Sequence, residues 1–152
     1  MGRGYKLNGP EFTIGSAAAQ TLVTLQAPAD GIVVVDRIEI GQAGYTTQEI
    51  LAMHIGKAAA AGTGTAAEID PVETGHSAFG GSGLVDHSVE PTTPNPMIKA
   101  VWNILAPFEW LRLTSESELV LSPSEILYIR MDDAPGTTLT FTTLVEFREI
   151  GG

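Results

Sequence analysis

The stretch that most constrains the fold runs from Thr137 to Ile150 and repeats with a period of two residues. One set of alternate positions is apolar apart from a threonine, and the other set is mostly polar. The sets are Leu139, Phe141, Thr143, Val145 and Phe147, and Thr138, Thr140, Thr142, Leu144, Glu146 and Arg148. Successive side chains of a strand point to opposite faces, so this pattern predicts a long strand with one buried face. Such a strand needs a second sheet to cover that face.

Shorter segments of the same kind recur along the chain and can supply that second sheet. They are TLVTLQ (21–26), IVVVDRIEI (32–40), EILAMHIG (49–56), MIKAVWNIL (97–105), ELVL (118–121) and EILYIRM (125–131). Turn sequences such as Ala27–Gly31 and Asp132–Gly136 separate them. In the second segment, strict alternation predicts Ile32, Val34, Ile38 and Ile40 on one face. The spacing in the last third favours an all-β, jelly-roll-like antiparallel β-sandwich.

The length of 152 residues predicts one β-sandwich domain, spanning 10–150, with two additions. Residues 1–9 are rich in glycine and predict a flexible N-terminal arm, whose deletion should leave the fold intact. Residues 57–96 are rich in Ala, Gly and Thr and predict an extended loop excursion that packs on a neighbouring subunit or partner. The hypothesised partner-binding residues in these two segments are Arg3, Lys6, Ile69, Phe79 and Leu84.

Composition argues against several classes of partner and compartment. The formal net charge of −10 disfavours binding to nucleic acid or to anionic membranes. The absence of cysteine excludes disulfides and thiol nucleophiles. No apolar run approaches the ~18 residues that span a bilayer, and the first residues lack the apolar core of a signal peptide. We therefore expect a protein made and used in a cytoplasm, or in a particle assembled there.

The residue types that carry chemistry do not form a catalytic pattern in the sequence. A cupin-type metal site needs two histidines and a glutamate close together on one strand, whereas His54 is alone in its segment, and His76 and His87 lie in the excursion. Asp132 and Asp133 lie in a turn sequence without ligands at EF-hand spacing. The glycine-rich stretches lack the lysine of a phosphate-binding loop. We expect no enzyme activity, no cofactor and no metal.

The two tryptophans leave a carbohydrate-binding role open. An exposed pair of Trp102 and Trp110 could stack on sugar rings, whereas the alternative is that both lie in the core or at a subunit contact.

The run from Asn103 to Ile150 resembles small virion proteins of tailed bacteriophages. In these proteins an aromatic turn leads into a proline bend, an apolar strand, a turn of small residues and a terminal strand. The matching elements here are Phe108 to Trp110, Pro123 to Glu125, Ile126 to Met131, Ala134 to Thr137 and Phe147 to Ile150. The resemblance covers roughly the last third of the chain and carries over no functional residue.

This resemblance implies a jelly-roll-like sandwich on a phage particle, and most directly a head decoration (cement) protein. The expected partner is the major capsid protein, and the expected assembly is a homotrimer in the virion. The alternatives are a tail or fibre component with the same fold, a carbohydrate-binding module, and a cupin-type metalloenzyme centred on His54.

Overall fold

The structure is a computed structural model that describes residues 2–15, 19–44, 48–92 and 95–151. These residues form strands and one short 3-10 helix, Ser115–Ser117. The strands are β1 Arg3–Asn8, β2 Phe12–Ile14, β3 Thr21–Gln26, β4 Ile32–Ala43, β5 Ile50–Ala58, β6 Thr63–Ala66, β7 Glu68–Pro71, β8 Ser82–Val89, β9 Asn95–Asn103, β10 Phe108–Leu111, β11 Leu119–Leu121, β12 Ile126–Met131 and β13 Leu139–Ile150.

Two antiparallel sheets pack face to face. Sheet one has the order β10-β4-β13-β1-β7, with β11 also paired to β4 and β2 also paired to β13. Sheet two has the order β6-β8-β3-β12-β5-β9. The prediction of an all-β sandwich is confirmed, whereas the jelly-roll connectivity stays a prediction.

The core between the sheets holds the apolar faces that the alternation predicts. In β13, residues Leu139, Phe141, Thr143, Val145 and Phe147 are all buried. Facing them from sheet two are the inward residues of β5 and β12, which are Leu51, Met53, Ile55, Leu127, Ile129 and Met131. Two-residue periodicity was therefore a sufficient signal in these three strands.

Strand β4 breaks the alternation at a bulge. Its pairing with β13 shifts between Glu146 and Phe147, which lie opposite Arg37 and Val35 and leave Asp36 unpaired. A bulge adds one residue and so exchanges the faces beyond it. The core-facing residues of β4 are consequently Val33, Val35, Ile38 and Ile40. The prediction was wrong for the first half of β4, because Ile32 and Val34 do not face the core. Ile32 is 39% exposed.

The predicted flexible N-terminal arm is wrong for residues 3–8. They form β1, which pairs with β13 on one side and with β7 on the other. Tyr5 and Leu7 point inward and are completely buried, and the Tyr5 hydroxyl donates to the carbonyl oxygen of Ser77 at 3.0 Å. The glycines suggested a flexible segment, but Gly4 lies within β1 between Arg3 and Tyr5 and does not interrupt the strand.

The predicted excursion at 57–96 is also not an extended loop. It contains β6, β7 and β8, and residues 95–96 begin β9, while residues 93–94 lie outside the described part. Gly83 in β8 is buried against Leu7 of the opposite sheet, and the Cβ of any other residue at this position would collide with that leucine. This small residue, which contributed to the prediction of a loop, thus allows β8 and β1 to approach each other closely.

Candidate functional site

A linked tyrosine, histidine and aspartate lie on the outer face of sheet two. Tyr128 of β12 and His54 of β5 belong to paired strands, and their side chains point away from the core. The Tyr128 hydroxyl lies 2.8 Å from Nε2 of His54, and Nδ1 of His54 lies 2.6 Å from Oδ1 of Asp132. The rings meet edge to face at 5.1 Å between centroids. Gly56, opposite Tyr128, makes room, since a Cβ there would be 2.9 Å from the hydroxyl.

The donors and acceptors of this group are complementary when His54 is neutral. The Asp132 carboxylate can only accept, so Nδ1 carries the proton and Nε2 accepts from the Tyr128 hydroxyl. Burial, aided by the negative charge of Asp132, raises the pKa of Tyr128, and this keeps the hydroxyl protonated as a donor. Tyr128 is 1% exposed and His54 is 7% exposed, so solvent reaches this group chiefly at Asp132.

A second polar cluster lies beside it, centred on Glu90. The Glu90 carboxylate accepts hydrogen bonds from the backbone N–H of Thr21 at 2.9 Å, from the Thr21 hydroxyl at 2.5 Å and from Arg130. Arg130 pairs in register with His54 across β12 and β5, which connects the two clusters. Together they tie the chain after β8 to the middle strands of the sheet.

His87 belongs to the same face and is 4% exposed. Its Nε2 lies 3.2 Å from the hydroxyl of Thr24. Burial lowers the pKa of His87, against the opposing influence of the Glu90 charge, because a buried imidazole loses the hydration that stabilises its cation. His87 is therefore a neutral interior side chain.

Two connecting segments cover this face. Ala59 N–H donates to the Thr92 carbonyl at 3.0 Å, and Thr92 N–H donates to the Ala60 carbonyl at 3.1 Å. These residues follow β5 and β8, which are separated in the sheet by β3 and β12. The segments must therefore cross the outer face, and this crossing explains why polar side chains there are buried.

The uncovered part of the face forms an open cleft of about 450 Å³. It is lined by Ala52, Met53, Lys99, Ala100, Val101 and Asp132. Most of the lining is apolar, and its charged members are Lys99 on β9 and Asp132 after β12. The cleft thus extends from Asp132, the exposed end of the Tyr128–His54–Asp132 group, to the edge of the sheet at β9.

The three histidines are not gathered together. His54 is engaged at both ring nitrogens, His87 lies under the crossing segments, and His76 pairs with Glu73 at 3.4 Å in the turn after β7. Within the described ranges, no group of three or more His, Asp or Glu side chains is placed to hold a metal ion. The geometry therefore offers no support for the cupin alternative.

The tryptophans are not an exposed stacking pair. Trp102 is 3% exposed, packs against Phe141 and donates its indole N–H to the Ala106 carbonyl at 2.6 Å. Trp110 on β10 is half-buried against the core. The alternative that both contribute to packing agrees with these positions.

The predicted partner-binding residues are placed differently from one another. Arg3 is exposed and donates to the Ser77 hydroxyl at 2.7 Å, and Lys6 pairs with Glu146 at 3.2 Å. Ile69 and Phe79 are partly buried and pack against the core, where Phe79 contacts Tyr5 and Phe147. Leu84 lies apart from these four in β8 and is half-buried.

The most exposed large apolar side chains lie elsewhere, near β9 in sheet two and near β10 in sheet one, and Val72 and Val89 are exposed as well. At the edge of sheet two, Val101 is 72% exposed and Ile50 is 64% exposed, with Met97 and Leu105 beside them in the chain. At the edge of sheet one, Leu113 is 84% exposed, near Leu111 and Val120. Sequence reasoning missed both edges, although the outward positions of MIKAVWNIL were a readable signal.

No protein-family model matches the chain, and no curated protein matches it significantly. In the ranges that the structure describes, no helix has the length and apolar character required to cross a membrane.

Proposed function

We propose that the protein is a structural virion protein that binds and stabilises a phage capsid as a decoration protein. In this proposal it works by adhesion: it buries apolar surface across joints between copies of the major capsid protein, as part of a homotrimer. Binding to the assembled state and not to its separated parts stabilises the assembly by mass action.

The observation that carries the proposal is the presence of strongly exposed apolar side chains near β9 in sheet two and near β10 in sheet one. Val101, Ile50 and Leu113 are the most exposed of the large apolar side chains that the structure describes. Val101 lies in the edge strand β9 of sheet two with Ile50 in the neighbouring strand β5, and Leu113 follows the edge strand β10 of sheet one, so one molecule can contact two neighbours. A protein that bridges two neighbours needs two such contacts, and exposed apolar patches favour protein–protein contact.

The polar groups of the described surface also suit a passive scaffold. The buried Tyr128 hydroxyl and His54 ring satisfy each other, and Arg37 and Arg148 of sheet one are held in ion pairs with neighbouring carboxylates. Groups engaged in this way stiffen the sandwich, and stiffness lowers the entropic cost of binding.

The test is co-sedimentation of the purified protein with empty heads of its phage at micromolar concentration. The proposal expects the protein in the pellet, with binding weakened by Val101→Lys and by Leu113→Lys. The matched control is Thr142→Lys, which introduces the same charge at an exposed position of the central strand β13, away from both edges, and should bind as the unaltered protein does. Absence of co-sedimentation would reject the decoration role.

A tail or fibre component is the rival in the same setting. It would show the same dependence on the apolar edges but would co-sediment with tails and not with heads, so parallel pelleting of both particle parts separates the two roles.

A further inference from the structure

Strand β9 is a long edge that has no outer neighbour among the described residues. It closes one side of sheet two and has nine residues, whereas the outer strands β6, β7 and β10 have four each. An edge strand presents unpaired backbone N–H and C=O groups to any extended chain that reaches it. Pro96 and a register shift beside it disturb the first residues of β9 and leave 98–103 regular.

Lys99 distinguishes this edge electrostatically. Six of the eight basic residues form ion pairs with carboxylates in the described part of the chain, and Arg3 hydrogen-bonds to Ser77. Lys99 has no such partner there, although the chain carries 18 acidic residues. It is exposed in the middle of β9, so its charge is available to a carboxylate from outside.

The side chains on either side of Lys99 are apolar and incompletely buried. Val101 lies two residues further on the same outward face, at the rim of the cleft that Ala52 and Asp132 also line. On the inward face, Ile98 and Ala100 are only partly buried although they pack against the core. Apolar side chains of an added strand would cover both.

We propose that the edge of β9 binds an extended protein segment that pairs as a seventh strand of sheet two. Its glutamate or aspartate lies opposite Lys99, an aliphatic residue lies opposite Val101 over the cleft, and apolar residues alternate with these toward the core. Backbone pairing gives the affinity and the two side-chain positions give the selectivity. Self-pairing of β9 fits less well, because it brings two unpaired lysines close together. The inference does not depend on a role in a virion.

The experiment is an NMR titration of the 15N-labelled full chain with the capped peptide Ac-Thr-Val-Leu-Val-Glu-Thr-NH2. A second peptide has lysine in place of glutamate. We expect amide shifts confined to β9 and its neighbour β5, and an affinity about fivefold weaker for the lysine peptide, as an exposed ion pair allows.

Charge reversal on the protein completes the test. Lys99→Glu should weaken binding of the glutamate peptide and strengthen binding of the lysine peptide. Leu113→Lys, which alters the other apolar edge, should leave the affinity for both peptides unchanged. The proposal is overturned if millimolar peptide shifts no β9 amide, if the shifts lie on another edge, or if Lys99→Glu affects both peptides equally. It is also overturned if β9 signals depend on protein concentration alone, which would assign the edge to a second copy.

Discussion

The outer face of sheet one is an open array of ion pairs, whereas the outer face of sheet two holds buried polar side chains beneath two crossing segments. On sheet one, Lys6–Glu146, Arg37–Glu109 and Asp36–Arg148 are all partly exposed. On sheet two, His54, Tyr128, Thr24 and His87 are each less than a tenth exposed. The same kind of antiparallel sheet thus has a solvated face in one case and a second interior in the other.

This difference indicates which faces of each sheet contribute to the free energy of unfolding. Exposed ion pairs contribute little because water and salt screen them, so sheet one depends on its inward face. Buried hydrogen-bonded groups leave an unsatisfied partner when one of them is removed, so sheet two depends on both faces. Three substitution experiments test this contrast.

The largest effect is expected for Leu7→Ala on the inward face of β1. Leu7 is completely buried and packs over Gly83 of the other sheet, so truncation leaves a cavity and should cost about 2–5 kcal/mol of unfolding free energy. Lys6→Ala is the adjacent control on the outward face and should cost about 0–1 kcal/mol. Urea unfolding followed by tryptophan fluorescence measures both. Equal costs would mean that β1 does not sit in the sheet.

An intermediate effect is expected for His54→Ala on the covered face. The change leaves the buried Tyr128 hydroxyl without its acceptor and should cost about 2–3 kcal/mol. His76→Ala is the control, since His76 pairs with the exposed Glu73 in a turn and its loss should cost less than about 0.5 kcal/mol.

A double substitution sharpens this test. Adding Tyr128→Phe to His54→Ala removes the orphaned hydroxyl and should recover part of the loss. If the unfolding free energies lost in the two single variants simply add in the double variant, the hydrogen bond between His54 and Tyr128 is not the source of the destabilisation.

The smallest effect is the pH dependence that His87 confers. Its pKa is lowered in the folded protein from the ordinary value of 6.5, so below that pH the unfolded chain binds a proton that the folded chain refuses. Stability is then complete above about pH 6.5 and falls on acidification by at most about 1.4 kcal/mol per pH unit.

The measurement is the urea midpoint at about pH 7.5 and about pH 5.5. His87→Gln retains a group that can bond Thr24 and should show a shallower loss than the unaltered chain. An identical pH dependence in both would place the titrating group elsewhere, for example among the carboxylates.

Local periodicity was enough to predict much of the fold. The inward faces of β5, β12 and β13 follow from alternation alone, because each side chain's direction depends only on its place in its own strand. The same reasoning failed where a local irregularity intervened. The bulge at Asp36 exchanges the faces of β4. Gly4 and Gly83 were interpreted as signs of flexibility, although Gly4 lies within β1 and Gly83 lets β8 approach Leu7 closely.

The candidate site was beyond the reach of local reasoning. Tyr128 and His54 could be assigned to outward faces, but nothing in either segment indicates that β12 pairs with β5 in the register that brings them to 2.8 Å. Likewise, the sequence does not indicate that Lys99 lies on an edge strand, beside the same cleft as Asp132 and without an ion-pair partner among the described residues.

The sequence by itself determined that this chain is a sandwich of alternating strands, because burial of a periodic apolar face is a property of each segment. Only the tertiary structure decided which outer face is covered, which histidine is buried and which edge is open. These outcomes depend on pairing between segments far apart in the chain, and that pairing is set by the packing of the whole molecule.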